Sequence, residues 1–137
     1  MTCAYFLPEP RGDLMKEADS NIEAVSRAFA AIAEGDIDQA VTQLDQDAKW
    51  DVAHALPEGG HYEGRDAIRE MLRRQQQRLG NFRLLHTTVH GDANTVFFEY
   101  TRSPTLDEHA EGSEHCLAAC QMTMGKVREI REFVHRA

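Results

Sequence analysis

Apolar residues recur along this chain in two different periods, and the change between them divides it. Ile22, Val25, Phe29 and Ile32 stand three and four apart, the spacing of one helix face. Ser20 and Glu23 have the spacing of a capping box, which predicts a helix start at Ser20. Gly35 suits the helix end, because it enters the left-handed region without a Cβ clash. Asp36 predicts a second, shorter helix with Ile37, Val41 and Leu44 on its buried side. A third follows Gly64-Arg65-Asp66, with Ile68, Met71, Leu72 and Leu79 inward, and stops at Gly80-Asn81.

Elsewhere the period is two. Residues 48–55 alternate Trp50, Val52 and His54 against Lys49, Asp51 and Ala53, the pattern of a strand. Pro57-Glu58-Gly59-Gly60 is a turn, and His61-Tyr62-Glu63 a short return strand. Residues 82–90 and 95–103 predict two strands around a Gly91-Asp92-Ala93-Asn94 turn. Residues 114–124 and 127–135 form a last hairpin around Gly125-Lys126, after an acidic loop at 104–113. Pro8, Pro10 and Gly12 predict an irregular arm over 1–19, leaving 20–137 as one domain. Helices early and strands late make the class α+β, with N-terminal helices packed on one face of a curved antiparallel sheet.

Strand alternation also says which side chains share the helix-covered face. If Trp50 and Val52 point inward, so does His54. Phe98 brings with it Val96, Tyr100 and Arg102. Ala118, Cys120 and Met122 share a face on the next strand, and Arg128, Ile130, Glu132 and Val134 on the last. Phe97, Leu117, Ala119 and Phe133 fall outside. A pocket lined by Trp50, Val52, Phe98, Tyr100, Arg102, Ala118, Cys120 and Ile130 is apolar with few polar groups, which suits a small organic ligand. An imidazole against such a wall can work as a general acid or base, and a carboxylate can orient it. His54 and Glu132 are therefore the expected catalytic pair, with Tyr100 and Arg102 as anchors for a carbonyl or an anion.

Four motifs in this order resemble the nuclear transport factor 2-like superfamily, and SnoaL-like proteins within it. They are Gly35-Asp36-Ile37-Asp38, Asp47-Ala48-Lys49-Trp50, Gly64-Arg65-Asp66-Ala67-Ile68 and the closing run from Gly125 to Phe133. The resemblance implies a cone-shaped, cystatin-like fold, open at one end, in proteins that are often dimers. It includes ketosteroid isomerases, polyketide cyclases, epoxide hydrolases and dehydratases, so the fold by itself does not fix a function. The positions that carry a Tyr and two Asp in the isomerases hold Ala28, Val52 and about Ala118 here. The acidic residue of the cyclases' penultimate strand has no counterpart after Glu114, no Arg-x-Asp set of the epoxide hydrolases is found, and His135 replaces a frequent final Asp.

Composition narrows the rest. A formal net charge of -8 over 137 residues disfavours nucleic acid and an anionic membrane surface, both of which need clustered Lys and Arg. No apolar run reaches membrane-spanning length, and the stretch 3–8 is too short for a signal peptide. Cys3, Cys116 and Cys120, an odd number without metal or redox spacing, suggest a reducing cytoplasm. His86 and His90, like Cys116 and Cys120, are four apart on strands. That separation is about 13 Å, too far for one ion. His54 and His61 flank a turn and are the remaining metal possibility. The series Arg65, Arg69, Arg73, Arg74, Arg78 reads as a solvated helix face.

The expectation is a cofactor-independent protein without a metal that binds a small apolar carbonyl compound. It would carry out proton-transfer chemistry on that compound: cyclisation, isomerisation or dehydration. A noncatalytic ligand-binding dimer, or an interaction domain that uses the outer sheet face, is the alternative.

Overall fold

The computed structural model describes residues 10–136, with the side chains of 16–135. The elements run α1 (Pro10–Ala33), α2 (Ile37–Val41), β1 (Leu44–Val52), β2 (Gly60–Glu63), α3 (Arg65–Leu79), β3 (Arg83–Gly91), β4 (Thr95–Ser103), β5 (Glu114–Thr123) and β6 (Lys126–Arg136). The six strands form one sheet in the order β2-β1-β6-β5-β4-β3. All neighbours are antiparallel except β1 and β6, which are parallel. The first and last long strands thus meet in the middle of the sheet, and the helices cover one face.

The helices begin and end largely where local chemistry places them. α1, however, reaches back to Pro10, so residues 10–19 are helical and Ser20 lies within the helix, not at its cap. Pro10 is compatible with this because a first-turn residue has no intrahelical partner for its N–H to lose. Residues 1–9, including the 3–8 stretch and Cys3, lie outside the described residues. At the far end Gly35 takes φ +83. Its N–H donates to the Ile32 carbonyl at 3.1 Å and the Asp36 N–H to the Ala31 carbonyl at 2.8 Å, satisfying two of the last helical carbonyls. The Asp36 side chain then accepts from the Gln39 N–H at 3.3 Å and caps α2. Leu44 belongs to β1 and not to the face of α2.

The core lies between α1 and the concave face of the sheet. Phe29 of α1 stacks on Phe98 of β4 at 4.8 Å between ring centroids, and touches Tyr100 at 5.2 Å and Trp50 of β1 at 6.0 Å. Val25, Ile32, Ile68, Met71 and Leu72 complete the helix side of it. The outer face is open, with Phe97 and Phe133 about half exposed. Alternation holds along β5 and along β4 as far as Tyr100, after which Thr101, Arg102 and Ser103 are all buried. On β6 a register irregularity opposite Gln121 and Met122 shifts the phase, so Val127 is buried and Arg128, expected inward, is exposed.

Candidate functional site

Every residue expected to line the pocket is buried, but most are packed against one another. Trp50, Phe98, Ala118, Cys120 and Ile130 are between 0% and 3% exposed, with Phe29 wedged among the aromatic ones. The apolar half of the concave face is therefore core. Burial pushes the Cys120 thiol up to about 12, and it does the same to Cys116, so neither serves as a nucleophile at neutral pH.

The polar groups gather at the end of the sheet where β4 leaves and β5 returns. Alternation from Phe98 carries Tyr100 and Arg102 inward on β4, and the phase set by Ile130 carries Glu132 inward on β6. The Tyr100 hydroxyl donates to Glu132 Oε2 at 3.1 Å. Arg102 Nε donates to Glu114 Oε1 at 2.7 Å. Two further residues, which the sequence reading left in a turn and on a solvated face, extend the cluster. Arg78 of α3 donates from Nε and Nη2 to both oxygens of Glu58, at 2.7 and 2.8 Å. Its Nη1 stands 3.8 Å from Glu114 Oε2. Glu58, Glu114 and Glu132 are all at most 5% exposed.

This cluster holds three carboxyl groups and two guanidiniums, so one carboxyl group has no cation to neutralise it. Glu132 is that group. Burial pushes its carboxyl above the ordinary range, and the charge of Arg102 and the Tyr100 hydroxyl only partly oppose this. Burial and the Glu132 charge together hold the Tyr100 hydroxyl well above its usual value, so it stays a donor. Three buried polar atoms have no hydrogen-bond partner among the described residues: Glu132 Oε1, Arg102 Nη2 and Trp50 Nε1. Each such atom costs about 1–3 kcal/mol unless something else satisfies it. A fold that keeps three of them, all on the concave face, is suited to a polar guest.

Two openings approach this region. A small one of about 180 Å³ is lined by Arg78, Leu79, Phe82, Arg102, Ser103, Pro104 and Gly112, so the loop after β4 stands at it. A larger groove of about 620 Å³ runs where β1 leaves β6, and both His54 and Glu132 contribute to its wall. His54 itself is exposed and lies in the turn after β1, which ends at Val52, so the inward alternation does not reach it. No hydrogen bond joins it to Glu132 among the described residues. His61 instead is gripped on both ring nitrogens, by Asp51 and by Glu63 at 3.0 Å. Among the described residues no group of three His, Cys, Asp or Glu is placed to hold a metal ion. No helix there is long and apolar enough to cross a membrane.

The arrangement of helices over a bent six-stranded sheet can now be set beside known proteins. Residues 25–130 match the model of the SnoaL-like domain. The chain belongs to the SnoaL-like family. Solved structures of the same fold include Bal32a, from a soil-derived mobile gene cassette. It is 25% identical over 87% of this chain and 92% of its own, with a TM-score of 0.70. A candidate polyketide cyclase from Xanthomonas campestris pv. campestris is 20% identical over 85% and 90%, with a TM-score of 0.68. TerC, co-crystallised with polyporic acid, is 22% identical over 85% and 92%, with a TM-score of 0.72. No curated protein matches this chain. In this SnoaL-like chain Arg78 could have been found by extending a pattern already visible, whereas Glu58, in a turn, had no such signal. Gln75 continues the buried stripe that begins at Ile68, Met71 and Leu72, and Arg78, one turn further on, lies beside that stripe with its side chain partly covered.

Proposed function

We propose that this SnoaL-like protein binds a small, largely apolar carbonyl compound at the polar end of its concave face and moves a proton on it, with Glu132 as the acid–base group. The observation that carries the reading is the free Oε1 of Glu132, a buried carboxyl group held above its usual range beside an equally free guanidinium N–H of Arg102. A general base works best when its proton affinity lies near the operating pH, and burial moves a carboxyl group in that direction. A carbonyl oxygen that accepts from Arg102 Nη2 would be polarised, and Glu132 would take the proton from the carbon beside it. The Tyr100 hydroxyl fixes the other carboxyl oxygen, so the free one is aimed. Such a transfer is the shared step of enolisation, cyclisation and dehydration. The relatives named for a polyketide cyclase and for a complex with polyporic acid are in keeping with a small organic guest.

In this reading His54 belongs to the rim of the larger groove, where it would meet the guest from outside. The test is deuterium uptake from D2O at the acidic carbon of a panel of cyclic diketones and aromatic ketones, followed by NMR. The Trp50 indole N–H resonance reports binding. The protein should accelerate uptake, and Glu132→Gln should lower the acceleration by about 10²–10⁴-fold while leaving binding in place. Exchange that survives Glu132→Gln would remove Glu132 from the chemistry. Binding without any exchange would make the chain a ligand carrier instead.

A further inference from the structure

Arg102 is offered to the guest through one guanidinium nitrogen, and its orientation is set by groups that lie away from that nitrogen. Its Nε is taken by Glu114 at 2.7 Å. Glu114 in turn stands 3.8 Å from Arg78, and Arg78 is locked by a two-pronged bond to Glu58. The chain of alternating charges thus runs from the turn after β1, through α3, to β5 and ends at Arg102 on β4, whose charge acts on Glu132 of β6 without an ion-pair contact. We propose that Arg78 and Glu58 are positioning residues for the acid–base centre, holding Glu114 so that Arg102 keeps its Nη2 directed at the guest. The inference rests on the function proposed above and adds two residues, neither of them hydrogen-bonded to Glu132 among the described residues.

The geometry gives the pair a purpose that stability alone does not. Glu58 is buried while the Arg78 side chain is only partly covered, and such a pair gives weak evidence for a gain in folding energy because desolvation and screening offset the attraction. Its value is direction, since a fork-to-fork bond fixes a guanidinium in its plane. Removing Arg78 would leave Glu58 and Glu114 without their shared cation. Glu114 would then lose one of its guanidinium contacts, and both carboxylates would repel charge on Glu132. Removing the Glu58 charge does the reverse, because Arg78 then has one carboxylate fewer to neutralise it. The other groups facing Glu132 are Tyr100 and Arg102 on β4 and Cys116 and Cys120 on β5. The two thiols and the phenol are held neutral, so they add no competing charge near neutral pH.

The test is the ¹³C titration of the Glu132 carboxyl group in the whole protein, assigned by its loss in Glu132→Gln. Glu58→Gln should lower the midpoint and Arg78→Gln should raise it, each by about one unit or less. Arg78→Lys, which keeps the charge and loses the fork, should restore most of the midpoint while the Arg102 Nε–H exchanges faster with solvent. Opposite shifts from the two partners of one ion pair support the proposal. Shifts of the same sign, or none, overturn it. Should Arg78→Gln not fold, Glu58→Gln and Arg78→Lys decide the matter by the same two readouts. A wild-type Glu132 that titrates like an ordinary carboxyl group would sink the proposed function itself, whatever the variants do.

Discussion

His61 shows how one side chain can tie stability to pH on the open side of the sheet. Asp51 bonds its Nδ1 and Glu63 its Nε2, and these two carboxylates raise its proton affinity above the free value of 6.5. A histidine stabilised in its protonated form contributes fully below its unfolded value. That contribution fades as pH rises through the higher folded value. The melting temperature of the wild type should therefore fall over the range just above 6.5, and His61→Gln should flatten that part of the profile. A profile unchanged by the substitution would show that the two bonds are too solvated to matter. The sequence placed His61 on its short strand, yet it gave no sign of this clamp. Lys49 and Glu63, like Asp51 and His61, face each other only through the register between β1 and β2.

At the scale of elements, most boundaries were legible because each has a local cause. The Asp36 cap and the left-handed Gly35 are decided by neighbours within a few residues. A Cβ at Gly35 would sit 2.9 Å from both the Asn81 Oδ1 and the Gln76 Nε2, at a φ of +83. Gly35→Ala should cost about 1–2 kcal/mol from the left-handed backbone alone, measurable by urea denaturation. What was not legible depended on partners far along the chain. The start of α1 at Pro10 was hidden by Pro8, Pro10 and Gly12, which read as breakers although Leu14 and Ala18 stand four apart in register with Ile22. The end of β1 at Val52 was invisible too, since Ala53, His54 and Ala55 continue the alternation. That single miss moved His54 from the inner wall to an exposed turn. Glu132 was placed correctly because its strand keeps a clean period of two after Ile130.

Over the whole molecule, the sequence conveyed the layers but not how full they are. Strand alternation suggested an open apolar pocket, whereas Phe29 fills the apolar half of the concave face by meeting three aromatic rings at once. Periodicity says which way a residue faces and nothing about what arrives from the other layer. Phe29→Ala should cost about 3–5 kcal/mol, read as a shift of the denaturation midpoint. It should also open space beside Trp50 and Phe98 for an added apolar probe such as benzene. A loss below 1 kcal/mol would mean that α1 does not rely on this wedge.

The parallel pairing of β1 with β6 has a consequence for how such a chain comes into being. Residues 44–51 must wait for 127–131 before the middle of the sheet exists. The β1–β2 hairpin and the β3–β4–β5 meander can each form early, but without β6 they share no strand that joins them. Contacts so distant along the chain are slow to close. During synthesis the two halves would stay apart, with an unsatisfied seam between them, until the final strand left the ribosome. A nascent chain halted before Lys126 should accordingly be captured by chaperones or cleaved by proteases far more readily than one released ten residues later.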